Sequence, residues 1–340
     1  MPDLRAFLER TFAARGGVMP FEEFMALALY DPVHGYYTKG IADVGGARGD
    51  FATSATLSDA LARAIAKWLV GEIAVHAWRG PVAVIEVGGG SGALAAGVLK
   101  ALGWWRRRSI RYHLVEVSPV LRELQRKRLG RSVIWHETIA EALDAVGGKA
   151  LIVSNELVDA FPVQWLVFHE GAWREIMVRY ESGKLSETFR DYDAPPPDLT
   201  DPREGQRIEL RPSFRSWLEE TTAAMHEGLM LTIDYGAATV DEVYHRRPGG
   251  TLRAYHRHER IEGGGIYARF GKQDLTSDVV FADLVRWGRE LGWENVRLAT
   301  QRDFLERHGA HDDAMSTSEA GEAFLVLEQR REFGACHTGD

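Results

Sequence analysis

The chain predicts an α/β protein in which a parallel sheet is covered by helices on both faces. Short apolar runs alternate with helix-like segments from residue 81 onward. VAVIEV (82–87), IRYHLVEV (110–117), VIWHE (133–137) and ALIVSNEL (150–157) are separated by ALAAGVLKAL, PVLRELQRKRL and a short helical stretch near 138–146. Continuous apolar runs of this length suit strands buried on both faces. A glycine cluster, Gly88 to Gly92, stands between the first run and the first helix. Of 340 residues, 45% are hydrophobic and 26% charged, which excludes a disordered, collagen-like or coiled-coil chain.

Before this core, Leu4, Phe7, Leu8 and Phe12 recur at helical spacing, and FEEFMALALY (21–30) reads as a helix that stops at Asp31-Pro32. A long Gly-, Tyr- and Thr-rich loop follows, and helix returns over 57–75. After the fourth run, residues 163–190 read as three strands with turns at Glu170-Gly171 and Ser182-Gly183. A proline-rich loop, the buried strand LMLTIDYG (229–236) and an aperiodic stretch over 236–280 come next. A helix over 281–292 and a last strand, AFLVLEQ (323–329), close the chain. The expected organisation is an N-terminal helical cap over 1–80 and an α/β domain over 81–340. That domain carries insertions at about 160–228 and 236–280.

Forty-one basic against 49 acidic residues leave a net charge of −8, a poor match to general nucleic-acid binding. The one cysteine, Cys336, excludes an intrachain disulfide and a cysteine-rich zinc site. There is no apolar run of the ~20 residues that span a bilayer, and no signal-peptide pattern. The expected setting is cytoplasmic, without membrane insertion.

IEVGGGSGALA (85–95) carries Glu86, Gly88, Gly90 and Gly92 between a strand and a helix. Such a turn offers close backbone approach, free N–H groups and the positive end of a helix dipole. The spacing Gly88-x-Gly90-x-x-Ala93 also fits the dinucleotide fingerprint. Glu86 tips the choice: a carboxylate at the strand end repels a pyrophosphate but suits a cationic ligand such as the amino-acid end of S-adenosylmethionine. Glu116 ends the second strand, where an acid normally accepts ribose hydroxyls. The plainer alternatives are a structural glycine turn and solvated carboxylates. SNELVDAFP places Asn155 and Glu156 at the end of the fourth strand and Asp159 just beyond it. They fit either an acceptor-binding group or helix caps.

At this point the sequence resembles class I S-adenosylmethionine-dependent methyltransferases related to the mitochondrial complex I assembly protein that methylates a protein arginine. The resemblance runs through LYDPVHGYY (29–37), GDFATSATLS (49–58), IEVGGGSGALA, YHLVEVSP (112–119), SNELVDAFPV (154–163), IDYG (233–236), GTLRAY (250–255) and DLTSDVVF (274–281). It implies a Rossmann-like seven-stranded methyltransferase sheet with a helical N-terminal extension and an inserted β-rich and loop substrate region. The implied cofactor is S-adenosylmethionine, and the implied partner is a protein substrate offering arginine, such as a complex I subunit. In a eukaryote the location would be the mitochondrial matrix. Glu86, Gly88, Gly90, Gly92 and Glu116 are the donor-site candidates. Asn155, Glu156 and Asp159 are the acceptor-side candidates. The GDF loop (Gly49, Asp50, Phe51, Thr53, Ser54) is expected to close over the donor. Gly89 and Ser91 depart from the family's usual proline and arginine in the turn, and the acid before GDF is replaced around Arg48.

Two rivals stand beside this reading: a nicotinamide-dependent oxidoreductase, and a non-catalytic assembly protein that keeps the fold. His256 and His258 have no third partner at metal-ligand spacing, so no metal site is expected. Trp104 and Trp105, before Arg106 to Arg108, read as a partner surface or a solvated helix end.

Overall fold

VAVIEV folds as strand β1 (Val82–Val87), with all six residues buried, as a strand covered on both faces requires. The structure is a computed structural model that describes residues 3–40, 59–76, 80–195, 197–257, 259–310 and 323–332. Gly49, Asp50, Phe51, Thr53, Ser54, His258 and Cys336 lie outside the described residues. Two units divide the chain. One comprises Met1–Phe51, Val158–Arg215 and Ala237–Val280; the other comprises Ala52–Leu157, Ser216–Gly236 and Phe281–Asp340. The helix Asp59–His76 packs against Ala93–Arg107, close enough that a Cβ on Gly97 would lie 2.7 Å from Ala62 Cβ.

The second unit holds the large sheet. Its further strands are β2 (Ile110–Val115), β3 (Ile134–His136), β4 (Lys149–Asn155), β5 (Glu227–Ala237), β6 (Glu294–Thr300) and β7 (Phe324–Arg331). Together with β1 they form one path in the order β6-β7-β5-β4-β1-β2-β3. Strands β1 to β5 run parallel, while β7 is antiparallel to β5 and β6. Between β1 and β2 runs the helix Ala93–Arg107. Pro119–Leu129, capped by Ser118, and Ile139–Ala145, with a Thr138/Glu141 capping box, follow β2 and β3. Val84, Leu114, Leu151, Val153, Leu231 and Trp68 belong to one buried cluster that joins the sheet to its helices. Strand β6 has no counterpart among the expected strands. Four of its seven residues are exposed, and Glu294, Asn295 and Arg297 break up its apolar residues, so no apolar run marks it.

The first unit contains a five-stranded antiparallel sheet and a three-stranded one. Gln164–His169, Ala172–Glu181 and Lys184–Asp191 form the expected meander. Glu170, Gly171, Ser182 and Gly183 all have φ between 52° and 79°, as two-residue hairpin turns matched to strand twist require. Val18–Pro20 and Arg207–Leu210 add two short strands that local pattern did not reveal. The aperiodic stretch holds the small sheet Glu259–Ile261, Arg253–His256 and Asp274–Thr276.

Candidate active site

Because β1, β2, β4 and β5 run parallel, their carboxyl ends share one rim. Val87 pairs with Val115 on one side and Ser154 on the other, and Ser154 pairs with Thr232. Gly88, Glu116, Asn155 and Ile233 thus stand in one row. Ligands of open α/β sheets bind at such a rim. Gly88, Gly90 and Gly92 have φ of 71°, 52° and 75°, a region that residues with a Cβ rarely adopt. Added Cβ atoms at Gly88 and Gly89 would lie 2.7 Å from Leu157 Cδ1 and 2.8 Å from Leu114 Cδ2, so the protein's own side chains pack directly against the turn. Arg128 Nη1 ties it from the next helix, donating to Ser91 O at 2.8 Å and Ser91 Oγ at 2.7 Å. The helix Ala93–Arg107 starts without a side-chain cap, which leaves its first N–H groups available to an anionic group.

Glu86 lies beneath this turn and is only 2% exposed. Tyr112 Oη donates to its Oε2 at 2.5 Å. The carboxylate expected to point into the site is thus held from below by a residue on the neighbouring strand. Burial pushes its carboxyl up to about 7; the Tyr112 bond pulls the other way, and the charge of Glu116 adds to the rise. Glu116 is 5% exposed, accepting from Ser118 N at 2.9 Å and Gln125 Nε2 at 3.1 Å. Burial raises it to about 7 as well, opposed chiefly by the Ser118 and Gln125 bonds.

An acid whose folded pKa is raised contributes stability that is full below its unfolded value and is lost as pH rises through the folded one. Glu86→Gln removes that loss. Its stability relative to wild type is expected to improve by up to about 3 kcal/mol between pH 4.5 and 8, at about 1.4 kcal/mol per pH unit. Denaturant unfolding at both pH values reads this directly, and a pH-independent difference would show that Glu86 does not titrate in this window.

Strand β4 ends in a fixed corner. Glu156 has φ 51°, and its N–H donates to Ile233 O at 2.9 Å. Asn155 Nδ2 donates to Glu156 Oε1 at 3.1 Å. Asp234, fully buried in β5, accepts from Leu157 N at 3.2 Å and from its neighbour Tyr235 N at 2.9 Å. Asp159 belongs to the first unit, in the short turn Val158–Ala160, and is 7% exposed. Each carbonyl of that turn is held: Val158 O by Arg211 Nε at 3.2 Å, Asp159 O by Ser277 N at 3.2 Å, and Ala160 O by Tyr30 Oη at 3.0 Å. Nearby, Tyr37 Oη donates to Asp274 Oδ1 at 2.9 Å. Burial, then the charges of Asp274 and Asp159 among others, push the Tyr37 phenol well above its ordinary value.

Of the residues singled out from sequence, the second unit brings Glu86, Gly88, Gly90, Gly92, Glu116, Asn155 and Glu156 to one rim. Tyr112, Gln125 and Asp234 were not assigned roles from sequence. Gln125 carried a readable signal: it sits on the buried stripe Leu121, Gln125, Leu129 of an otherwise polar helix. There it donates to Gly90 O at 2.8 Å as well as to Glu116, and Trp135 Nε1 donates to its Oε1 at 3.0 Å. Tyr112 carried none, since its partnership with Glu86 exists only across paired strands. His256 stands at the small sheet with Nδ1 2.8 Å from Lys272 O.

Residues 64–298 match a family described as "Putative S-adenosyl-L-methionine-dependent methyltransferase". The chain is 28% identical over 302 residues to "Protein arginine methyltransferase NDUFAF7 homolog, mitochondrial" of Drosophila melanogaster, covering 78% of this chain and 65% of that relative. It is 27% identical over 326 residues to "Protein arginine methyltransferase NDUFAF7, mitochondrial" of Danio rerio, covering 86% and 74%. Among solved structures it is similar to a "likely methyl transferase from Burkholderia thailandensis bound to S-adenosyl-homocysteine". That match has a TM-score of 0.83 and 26% identity, over 97% of this chain and 92% of the other.

Proposed function

The chain belongs to this family of S-adenosyl-L-methionine-dependent methyltransferases, and from that premise we propose that it methylates an arginine side chain of a protein. The observation that carries the acceptor is the shared name of the relatives, protein arginine methyltransferase, over most of this chain. The donor supplies an electrophilic methyl group on sulfonium. The chain's own work is to seat that donor, orient the acceptor and keep water out. The turn at Gly88, Gly90 and Gly92 lets the donor approach the backbone closely, and the uncapped helix N-terminus beside it offers N–H groups to the donor's carboxylate. Glu86, beneath the turn, balances the positive charge of its amino-acid end, and Glu116 takes the ribose hydroxyls. The rim fits this group chemically, since it combines open N–H donors with two buried acids able to ionise near neutrality.

On the acceptor side we assign Asn155, Glu156 and Asp159 to the guanidinium. We extend the reading to a complex I subunit as acceptor, and to the cytoplasm, or the mitochondrial matrix in a eukaryote, as location.

Two experiments test the reading. Titration calorimetry with S-adenosylmethionine and with NADH should show binding of the first alone, which removes the oxidoreductase rival. Tritiated-methyl transfer in lysate from a deletion strain should label a protein at arginine. A folded, donor-binding protein that labels nothing would favour the non-catalytic assembly role. For Glu116, replacement by Ala is expected to weaken donor binding by about 1–3 kcal/mol, as for a lost hydrogen bond to a charged group. Glu116→Gln keeps the packing against Ser118 and Gln125 and should fall between. Donor affinity at the wild-type level in both variants would remove Glu116 from the donor site.

A further inference from the structure

From Val87 to Val115 the chain carries Lys100, Arg106, Arg107, Arg108 and Arg111 and no acidic residue, although its net charge is −8. Three of these arginines lie together. The helix Ala93–Arg107 is interrupted at Gly103, where φ 68° and ψ 171° leave the helical region. Trp104 to Arg107 therefore form a separate turn, swung out of line from the apolar stripe that ends at Leu102. Arg107 Nε fastens this turn by donating to Leu99 O. Trp104 and Trp105 are 61% and 74% exposed, with their rings edge to face at 4.6 Å. The Arg108 guanidinium lies 3.9 Å from the Trp104 ring centroid. Among the described residues, no ion pair engages Arg106, Arg107 or Arg108.

Two large indoles in water are costly by about 25 cal/mol per Å² of apolar surface, and solvation of a helix end does not require them. The location adds meaning. Val82 N donates to Ser109 O at 2.8 Å, so this turn stands at the amino ends of β1 and β2. That is the rim opposite the glycine turn.

We propose that the Trp104–Arg108 turn is a peripheral membrane-docking element for an anionic phospholipid surface. Indoles settle at headgroup depth with the ring apolar and the N–H wet. Arginines beside them meet lipid phosphates, and the stacking of Arg108 on Trp104 carries cation and indole to the surface together. Charge complementarity selects anionic over zwitterionic lipid. A fluid headgroup layer reads charge and amphipathic rings without a shaped partner, which suits one protruding turn better than a specific protein face does. No described helix is long and apolar enough to cross a membrane, so the contact is interfacial. Docking by this rim turns the donor rim of the same unit away from the lipid.

Co-sedimentation of the full chain with phosphatidylcholine vesicles, with and without about one third phosphatidylglycerol, tests this. Binding is expected to the anionic vesicles alone and to fade at high salt. Trp104→Ala/Trp105→Ala and Arg106→Gln/Arg108→Gln should each lower the partition about tenfold or more. Calorimetric titration with S-adenosylmethionine should be unchanged in both, since the donor rim is at the other end of the strands. Equal binding to both vesicle types, or undiminished binding by the variants, overturns the proposal. So does failure to bind vesicles while polyglutamate is bound through the same residues, which would make the turn a seat for an acidic protein.

Discussion

Asp159→Asn is expected to cut methyl transfer by at least ~100-fold, in the lower range for losing a positioned charged group, with stability and donor affinity near wild type. Arginine stays charged at any working pH, and its fork of donors matches a carboxylate in two-point contact. An acid that orients the guanidinium also draws its charge away from the attacking nitrogen. The turn carrying Asp159 is held through its backbone carbonyls by Arg211, Ser277 and Tyr30, and none of those bonds involves the carboxylate. Asparagine keeps the shape and is itself a fair helix cap, so a purely capping role would leave turnover intact. A second readout is independent of turnover. Asp159 helps hold the Tyr37 phenol up, so the variant should titrate that phenol at lower pH. Wild-type turnover alongside a shifted phenol would assign Asp159 to structure alone.

Gly90→Val should abolish donor binding, seen as a loss of at least ~100-fold in calorimetric affinity for S-adenosylmethionine, the energy of a few lost turn contacts. Gly90 has φ 52°, where a β-branched side chain is strained. Its carbonyl accepts from Gln125, and its N–H favours the charged form of Glu116. Displacing this one residue therefore disturbs the turn and the acid on the next strand together. Circular dichroism and thermal unfolding show whether the variant is folded. Gly90→Ala provides a milder perturbation, with an intermediate loss, if valine prevents folding. Undiminished affinity in a folded variant would falsify the assignment of this turn to the donor.

Periodicity and local chemistry determined much of this protein without any tertiary information. The buried strands β1, β2, β4 and β5 announced themselves as apolar runs, because burial on both faces removes polar residues. The glycine turn, the strand-end acids Glu86 and Glu116, and the corner at Asn155 and Glu156 were legible because each lies where a local pattern changes. The two hairpins were legible from Glu170-Gly171 and Ser182-Gly183, whose residue types suit positive φ. Tertiary structure alone decided the rest. Strand β6 is exposed at the sheet edge, so its apolar content never rises enough to mark it. The helix Asp59–His76 buries its apolar face against Ala93–Arg107, a pairing of two helices that no local pattern names. Glu86 turns beneath the glycines to meet Tyr112, and Gln125 links Gly90 to Glu116, through contacts between residues 26 and 35 positions apart for Glu86–Tyr112 and Gly90–Gln125. Such pairings depend on strand register and helix docking, quantities that no window of sequence contains, because they are set by the packing of the whole sheet.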